Sequence, residues 1–210
     1  MRGTSGTGGH QPEYTAEQAL ARLKRGNARF LGGHARFPTV QKDILAHLAR
    51  GQRPFATVLG CSDSRVPPEL VFDASFGELF VIRVAGNVLG PSIEGTLQYA
   101  SLHLHTPLLL VLGHEGCGAV EAAIDGRFHG VLHDSRIALL LQEMDPALDR
   151  LDPALPAEAL LSAAVEANVR WTLRQVIESP EWKARMTRGH AVQAVGAVYE
   201  ISTGCVRFLT

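Results

Sequence analysis

Three short stretches gather the groups best suited to bind a metal or steer a proton: Cys61-Ser62-Asp63-Ser64-Arg65, Arg83-Val84-Ala85-Gly86-Asn87 and His114-Glu115-Gly116-Cys117-Gly118. Two cysteines and a histidine make three sulfur and nitrogen donors. By softness such a set suits zinc, and it leaves one tetrahedral position for water or a carboxylate. The His114-x-x-Cys117 spacing lets both side chains turn toward one ion from a tight loop at a helix start. Taken singly, His114 reads equally well as a partly buried packing histidine and Cys117 as a helix-start thiol. What favours chemistry is the placing of Asp63 and Arg65 just after Cys61. A guanidinium can hold the Asp63 carboxylate in a fixed bidentate pose, leaving further lone pairs for a water on the metal.

These stretches need a frame that brings them together. Thr15-Ala16-Glu17-Gln18 has the form of a capping box, and Ala19, Leu20, Leu23, Phe30 and Leu31 continue at helical spacing until Gly32-Gly33. Three apolar runs, Phe55 to Gly60, Leu79 to Val84 and Leu108 to Leu112, each stop at glycine, as buried strands do. The chemistry-bearing stretches follow those strands directly. Ile93 to Leu104, Gly118 to Ile124, Ser135 to Met144 and Ala157 to Glu178 read as helices, the last ending at Ser179-Pro180. Ala191 to Tyr199, a turn at Ser202-Thr203-Gly204, and Cys205 to Leu209 read as a strand, a turn and an edge strand. The alternation predicts an α/β fold: a mostly parallel central sheet flanked by helices, with an antiparallel C-terminal edge strand. In such sheets ligands bind beyond the carboxyl ends of the strands, where these stretches lie.

Composition narrows the function. With 20 Lys+Arg against 21 Asp+Glu the net charge is −1, which gives no electrostatic reason to expect nucleic acid or an anionic membrane as partner. The longest apolar run is far too short to cross a bilayer. Three widely spaced cysteines, Cys61, Cys117 and Cys205, favour thiols over a disulfide framework and so a reducing, cytoplasmic setting. Residues 1–13, Gly/Ser/Thr-rich and without the apolar centre of a secretory signal, read as a flexible leader, although a removed export signal stays open. Residues 14–210 then form one catalytic domain that includes the N-terminal arm helix.

In order and spacing, the motifs Cys-Ser-Asp-Ser-Arg, Arg-Val-Ala-Gly-Asn and Gly-His-x-x-Cys-Gly-Ala resemble those of the β-class carbonic anhydrases. The resemblance runs from about Tyr14 to the last strand. It implies zinc-dependent reversible hydration of carbon dioxide to bicarbonate and a proton, with one Zn2+ per subunit held by Cys61, His114 and Cys117 and a catalytic dyad of Asp63 and Arg65. Zinc in such a site lowers the pKa of its water from ~15.7 to roughly 7, so that hydroxide exists at neutral pH. Gln52, Phe80, Ala85, Tyr99 and Gly118 fall at substrate-pocket positions, the aromatics commonly contributed across a subunit interface; in the class the N-terminal helix, here Thr15 to Leu31, reaches over a neighbouring subunit, which implies a homodimer or homotetramer. Phe80 also reads as plain strand core, Tyr99 as a helix packing residue, and Gly86 and Gly118 as serving backbone geometry. Some members of the class hold an inactive state with the aspartate on zinc, stabilised by bicarbonate in a pocket of tryptophan, arginine and tyrosine. Arg83 and Tyr199 match two of these, but the tryptophan position is Val58. The resemblance therefore implies an open site at rest. His34, His103 and His105 read as surface or packing histidines rather than proton relays.

Relatives on the same fold hydrolyse carbon disulfide or carbonyl sulfide with the same ligands, and a non-catalytic zinc protein is a further alternative. The short tail after Leu209 and the intact Asp63 and Arg65 favour carbon dioxide.

Overall fold

The computed structural model describes residues 14–36, 45–46, 48–187 and 192–209; the leader at residues 1–13 lies outside them. The capping box forms as the sequence predicts. The Gln18 N–H donates to the Thr15 hydroxyl at 3.2 Å, the Thr15 N–H donates to the Gln18 side chain at 2.8 Å, and α1 (Ala16–Leu31) follows. Its buried side, with Ala19, Leu23 and Asn27, packs on its own chain. Asn27 ties the helix to two distant segments. Its amide donates to the carbonyls of Val71 at 3.2 Å and Gly204 at 2.9 Å, and its oxygen accepts from the Val206 N–H at 3.0 Å.

Asp73 is a second tie. Its side chain is 2% exposed and pairs with Arg29 and Arg36, and it also accepts the Arg36 N–H at 2.6 Å. Burial alone would push its carboxyl up, but the hydrogen bonds from the two arginines outweigh burial and carry it below the usual value. Because the folded pKa lies below the unfolded one of ~3.9, this contribution to stability is complete at higher pH and fades as pH falls through the carboxylate range. Asp73→Asn should therefore cost about 2 kcal/mol at pH 7, the worth of hydrogen bonds to a charged group, and much less near pH 3. Asn accepts the left-handed backbone at this position, φ 45°. Urea midpoints at the two pH values check this; an equal loss at both would refute the charge argument.

The sheet is ordered β2-β1-β3-β4-β5. β1 (Ala56–Gly60), β2 (Leu79–Arg83), β3 (Leu108–His114) and β4 (Gln193–Tyr199) run parallel, and β5 (Val206–Phe208) is antiparallel to β4. Every residue of β1 and β3 is buried, as expected of apolar strands covered on both faces. The outer β2 is mostly half-buried. Gly60 pairs with both Arg83 and Leu112, so β2 and β1 end level while β3 runs two residues further, to His114. From β1 the chain adds β2 on one side and β3 on the other, which places the topological switch point between β1 and β3.

Helices flank the sheet: α2 (Pro68–Val71), α3 (Pro91–Tyr99), α4 (Gly118–His129), α5 (Ser135–Gln142), α6 (Ala157–Glu178) and α7 (Pro180–Thr187). α6 lies against β3 and β4, while α1 meets α2 and β3.

Several boundaries depart from the sequence expectation. The third strand runs on through Gly113 to His114, so the histidine ends a strand rather than opening a loop. The helix expected over Ile93 to Leu104 is α3 followed by a π-helical turn, Ala100–Leu104, closed by left-handed His105. Ser179-Pro180 ends α6 but also starts α7, because the Ser179 hydroxyl accepts the Trp182 N–H at 3.2 Å and proline suits a first helical position. α2 was not anticipated at all.

Candidate metal centre

Cys61 follows β1, His114 ends β3, and Cys117 caps α4. The direct pairing of β1 with β3 brings them together although β2 lies between them in sequence. Their ligand atoms all lie within 4.8 Å of one another, and all three residues are buried. Cys61 Sγ and Cys117 Sγ are 4.0 Å apart. Two thiolates on a tetrahedral zinc at ~2.3 Å each would be about 3.8 Å apart.

The histidine is oriented for the same task. His114 Nδ1 lies 2.9 Å from the Glu115 carbonyl, which can only accept, so Nδ1 carries the proton and Nε2 the free lone pair. The residue is 1% exposed, and Nε2 has no hydrogen-bond partner among the described residues. A buried lone pair left unmatched beside two buried sulfurs fits a metal ion. Gly116, at φ 61°, makes the tight turn that lets His114 and Cys117 converge.

Hydrogen bonds within the cluster and its burial together set the ionisation of its groups. The hydrogen bond from the Cys117 thiol pulls the Cys61 pKa far down, and the same bond together with burial pushes Cys117 up. Burial pushes His114 down, but the Cys61 sulfur, the Glu115 carbonyl and Asp63 outweigh it and leave the ring raised.

Asp63 borders the cluster, its Oδ2 lying 3.9 Å from His114 Nε2. Both its oxygens are engaged by Arg65: Nε donates to Oδ1 at 3.0 Å, Nη2 to Oδ2 at 2.7 Å, and the backbone N–H to Oδ1 at 2.9 Å. These bonds, chiefly the side-chain ones, hold the Asp63 carboxyl well below the usual carboxylate range. Arg65 Nη2 also reaches the Gly116 carbonyl at 3.2 Å, tying the first motif to the third.

The second motif secures the first. Arg83 Nε donates to the Cys61 carbonyl at 2.8 Å, and Nη2 donates to the Asp63 carbonyl. The sequence marked Arg83 as a motif member and as a match to the bicarbonate-pocket arginine; its hold on this loop depends on β1 and β2 pairing side by side. Glu115, which sequence reasoning passed over, accepts the Ser202 N–H at 2.9 Å and so anchors the His114 turn to the turn before β5. Gly116 was passed over too, although a glycine midway between two ligands was a signal that could have found it. An added side chain at Gly118 would meet open space, so backbone geometry does not demand glycine there.

Ala85 opens a short turn, Ala85–Asn87, beside the cluster, and Gly118 begins α4 next to Cys117. Gln52, Phe80 and Tyr99 are not brought to this site. Gln52 is exposed before β1, Phe80 pairs with Thr57 near the amino end of β1, and Tyr99, at the end of α3, is 49% exposed. The Phe80 and Tyr99 rings lie 6.2 Å apart. A cavity of about 400 Å³ also lies toward the amino ends of β1 and β3, lined by Thr57, Leu97, Leu109, Val176 and Trp182, and none of the cluster residues lines it.

The carbonic anhydrase family model matches residues 56–206. Carbonic anhydrase 2 of Mycobacterium tuberculosis is 32% identical over 195 residues, covering 92% of this chain and 92% of that protein. The carbonic anhydrase of Mycolicibacterium smegmatis is 33% identical over 198 residues, covering 93% and 94%. The Coccomyxa β-carbonic anhydrase, solved in complex with acetazolamide, superposes with a TM-score of 0.74 at 29% identity, covering 90% of this chain and 86% of that one. The chain belongs to the β-class carbonic anhydrases.

As a β-class carbonic anhydrase it is a zinc lyase that interconverts carbon dioxide and water with bicarbonate and a proton. The relatives' names favour carbon dioxide over the carbon disulfide and carbonyl sulfide alternatives.

Proposed function

We propose that this carbonic anhydrase holds its zinc through Cys61, His114 and Cys117 and hydrates carbon dioxide there with Asp63 and Arg65 as the dyad. The observation that carries the reading is the unmatched, buried Nε2 of His114 converging with two buried sulfurs. When bound, zinc supplies a Lewis acid that makes a coordinated water acidic near neutral pH. Asp63 accepts a hydrogen bond from the attacking oxygen and so aims its lone pair at the electrophilic carbon. Arg65 keeps that carboxylate ionised and its oxygens fixed. Ala85 and Gly118 border the space where an uncharged linear substrate would sit. X-ray absorption at the zinc edge tests the ligand set. Two sulfur neighbours at ~2.3 Å with the remainder nitrogen or oxygen at ~2.0–2.1 Å are expected; three sulfurs, or none, would overturn it.

The resting site is open. Asp63 sits in the fork of Arg65, and Val58 is fully buried core where an inhibitory pocket would need an indole. A crystal structure at about pH 8, above the range where such a water titrates, would overturn this if Asp63 ligated zinc with Arg65 unpaired.

Gln52, Phe80 and Tyr99 act on the site of a second copy. Their distance from the cluster of their own chain, the half-buried outer strand β2 and the exposure of Tyr99 support this reading. Light scattering should give a dimer or tetramer at micromolar concentration; a stable, fully active monomer would remove the cross-subunit role. Residues 14–210 act as one catalytic domain, in the cytoplasm, where two ligating thiols persist best. Among the described residues no helix is long and apolar enough to cross a membrane.

A further inference from the structure

α6 carries two fully buried polar side chains with no part in the chemistry described above, Asn168 at 1% exposure and Thr172 at 0%. Both point into the turn that follows β2. Asn168 Nδ2 donates to the Gly86 carbonyl at 2.7 Å, and the Thr172 hydroxyl donates to the Asn87 carbonyl at 3.2 Å. The turn between them is held in an uncommon conformation, with Gly86 at φ 67° and Asn87 at φ 44°. Consecutive left-handed residues are rarely populated by the chain itself and persist only where the surroundings enforce them. In this conformation the Gly86 N–H donates to Cys61 Sγ at 3.4 Å. A side chain at Gly86 would collide with Met144 Sδ at 2.7 Å, so the turn is gripped from several sides.

Asn168 uses only part of its amide. Its Oδ1 is buried with no partner among the described residues, an arrangement that costs stability. An apolar residue would spare that cost, which leaves the hold on Gly86 as the gain.

Resting on the reading that Cys61 ligates zinc, we infer that Asn168, with Thr172 beside it, is a positioning residue of the metal centre: α6 fixes the Gly86–Asn87 turn so that the Gly86 N–H stays aimed at the Cys61 sulfur. A hydrogen bond to a metal-bound thiolate draws charge from the sulfur and fixes its direction toward the ion, the kind of outer support that sets metal retention.

The test uses the full-length protein loaded with zinc or substituted with cobalt(II). Asn168→Leu removes the donor with little change in volume. Zinc transfer to an excess of chelator should then be faster by about 10–100-fold, the usual cost of losing an outer-shell contact. The sulfur-to-cobalt charge-transfer band should move to lower energy, because the thiolate lone pairs lose a donor. Thr172→Val, which keeps the shape and removes only the bond to Asn87, should shift both readouts the same way by a smaller amount, and it carries the test if Asn168→Leu does not fold. Leu160→Ala, buried at the other end of α6, serves as the comparison for lost stability alone and should leave the band in place. An unchanged band and release rate in both Asn168→Leu and Thr172→Val would overturn the inference, as would equal changes in Leu160→Ala. A wild-type cobalt protein with no sulfur band would instead overturn the ligand reading on which it rests.

Discussion

Cys61→Ser is expected to leave the protein folded but nearly free of zinc, with carbon dioxide hydration reduced by at least about a thousandfold. A serine hydroxyl stays protonated at neutral pH and is a harder donor than thiolate, so the three-point site becomes a pair, His114 and Cys117. Structural zinc sites lend folding energy, but here the cluster sits at the edge of a core that runs through β1, β3 and α6. The circular dichroism spectrum should therefore persist while zinc content falls toward zero. Stoichiometric zinc with wild-type hydration would show that Cys61 is not a ligand.

Asp63→Asn should separate binding from chemistry. Zinc stays, since Asp63 is paired with Arg65 and not among the converging ligand atoms. Hydration should fall by about 10²–10³-fold, or roughly 2.7–4 kcal/mol of transition-state stabilisation, the usual cost of losing one preorganised group. The amide offers one acceptor oxygen where the carboxylate offered two, so the guanidinium of Arg65 can no longer be met at both points. Arg65→Ala should act in the same direction through loss of the Asp63 pose. The pH dependence distinguishes this from a general disturbance. The folded Asp63 carboxyl lies below its unfolded pKa of ~3.9. Its ionised form is therefore complete above that value and lost only as pH falls further. The rate change of the wild type between pH 5 and 8 then belongs to the ionising water, and Asp63→Asn, which removes a carboxylate charge beside that water, should lower the plateau and move the midpoint to lower pH. An unmoved midpoint, or full activity in both variants, would remove the dyad.

The strands that carry the site were legible because each is a short apolar run punctuated by glycine, and α6 matched its expected span of Ala157 to Glu178 because no breaker interrupts it before Pro180. The misread boundaries share a cause: a local signal with two meanings. Ser179-Pro180 stops one helix and starts another. Gly113 reads as a strand end, yet it continues β3, because the strand there is paired with Val198 and covered by Val165 and Val169 of α6. Ala100 to Leu104 has no breaker in sequence, yet widens into a π-helical turn before the left-handed His105.

Sequence alone determined which donors the chain offers, that they follow strands in a parallel α/β arrangement, and that Asp63 lies within reach of Arg65. These are short-range facts, carried by residue type and by spacing of a few positions. Tertiary structure alone decided that Cys61 and His114 are neighbours, because β1 and β3 pair directly while β2 is displaced to the edge. It also decided that Arg83 grips the Cys61 loop, that Asn27 and Asp73 fasten α1, and that Asn168 reaches the Gly86 turn. Each of these contacts joins residues far apart in the chain, and its partner is chosen by strand order and helix packing. No local pattern of side chains encodes that choice.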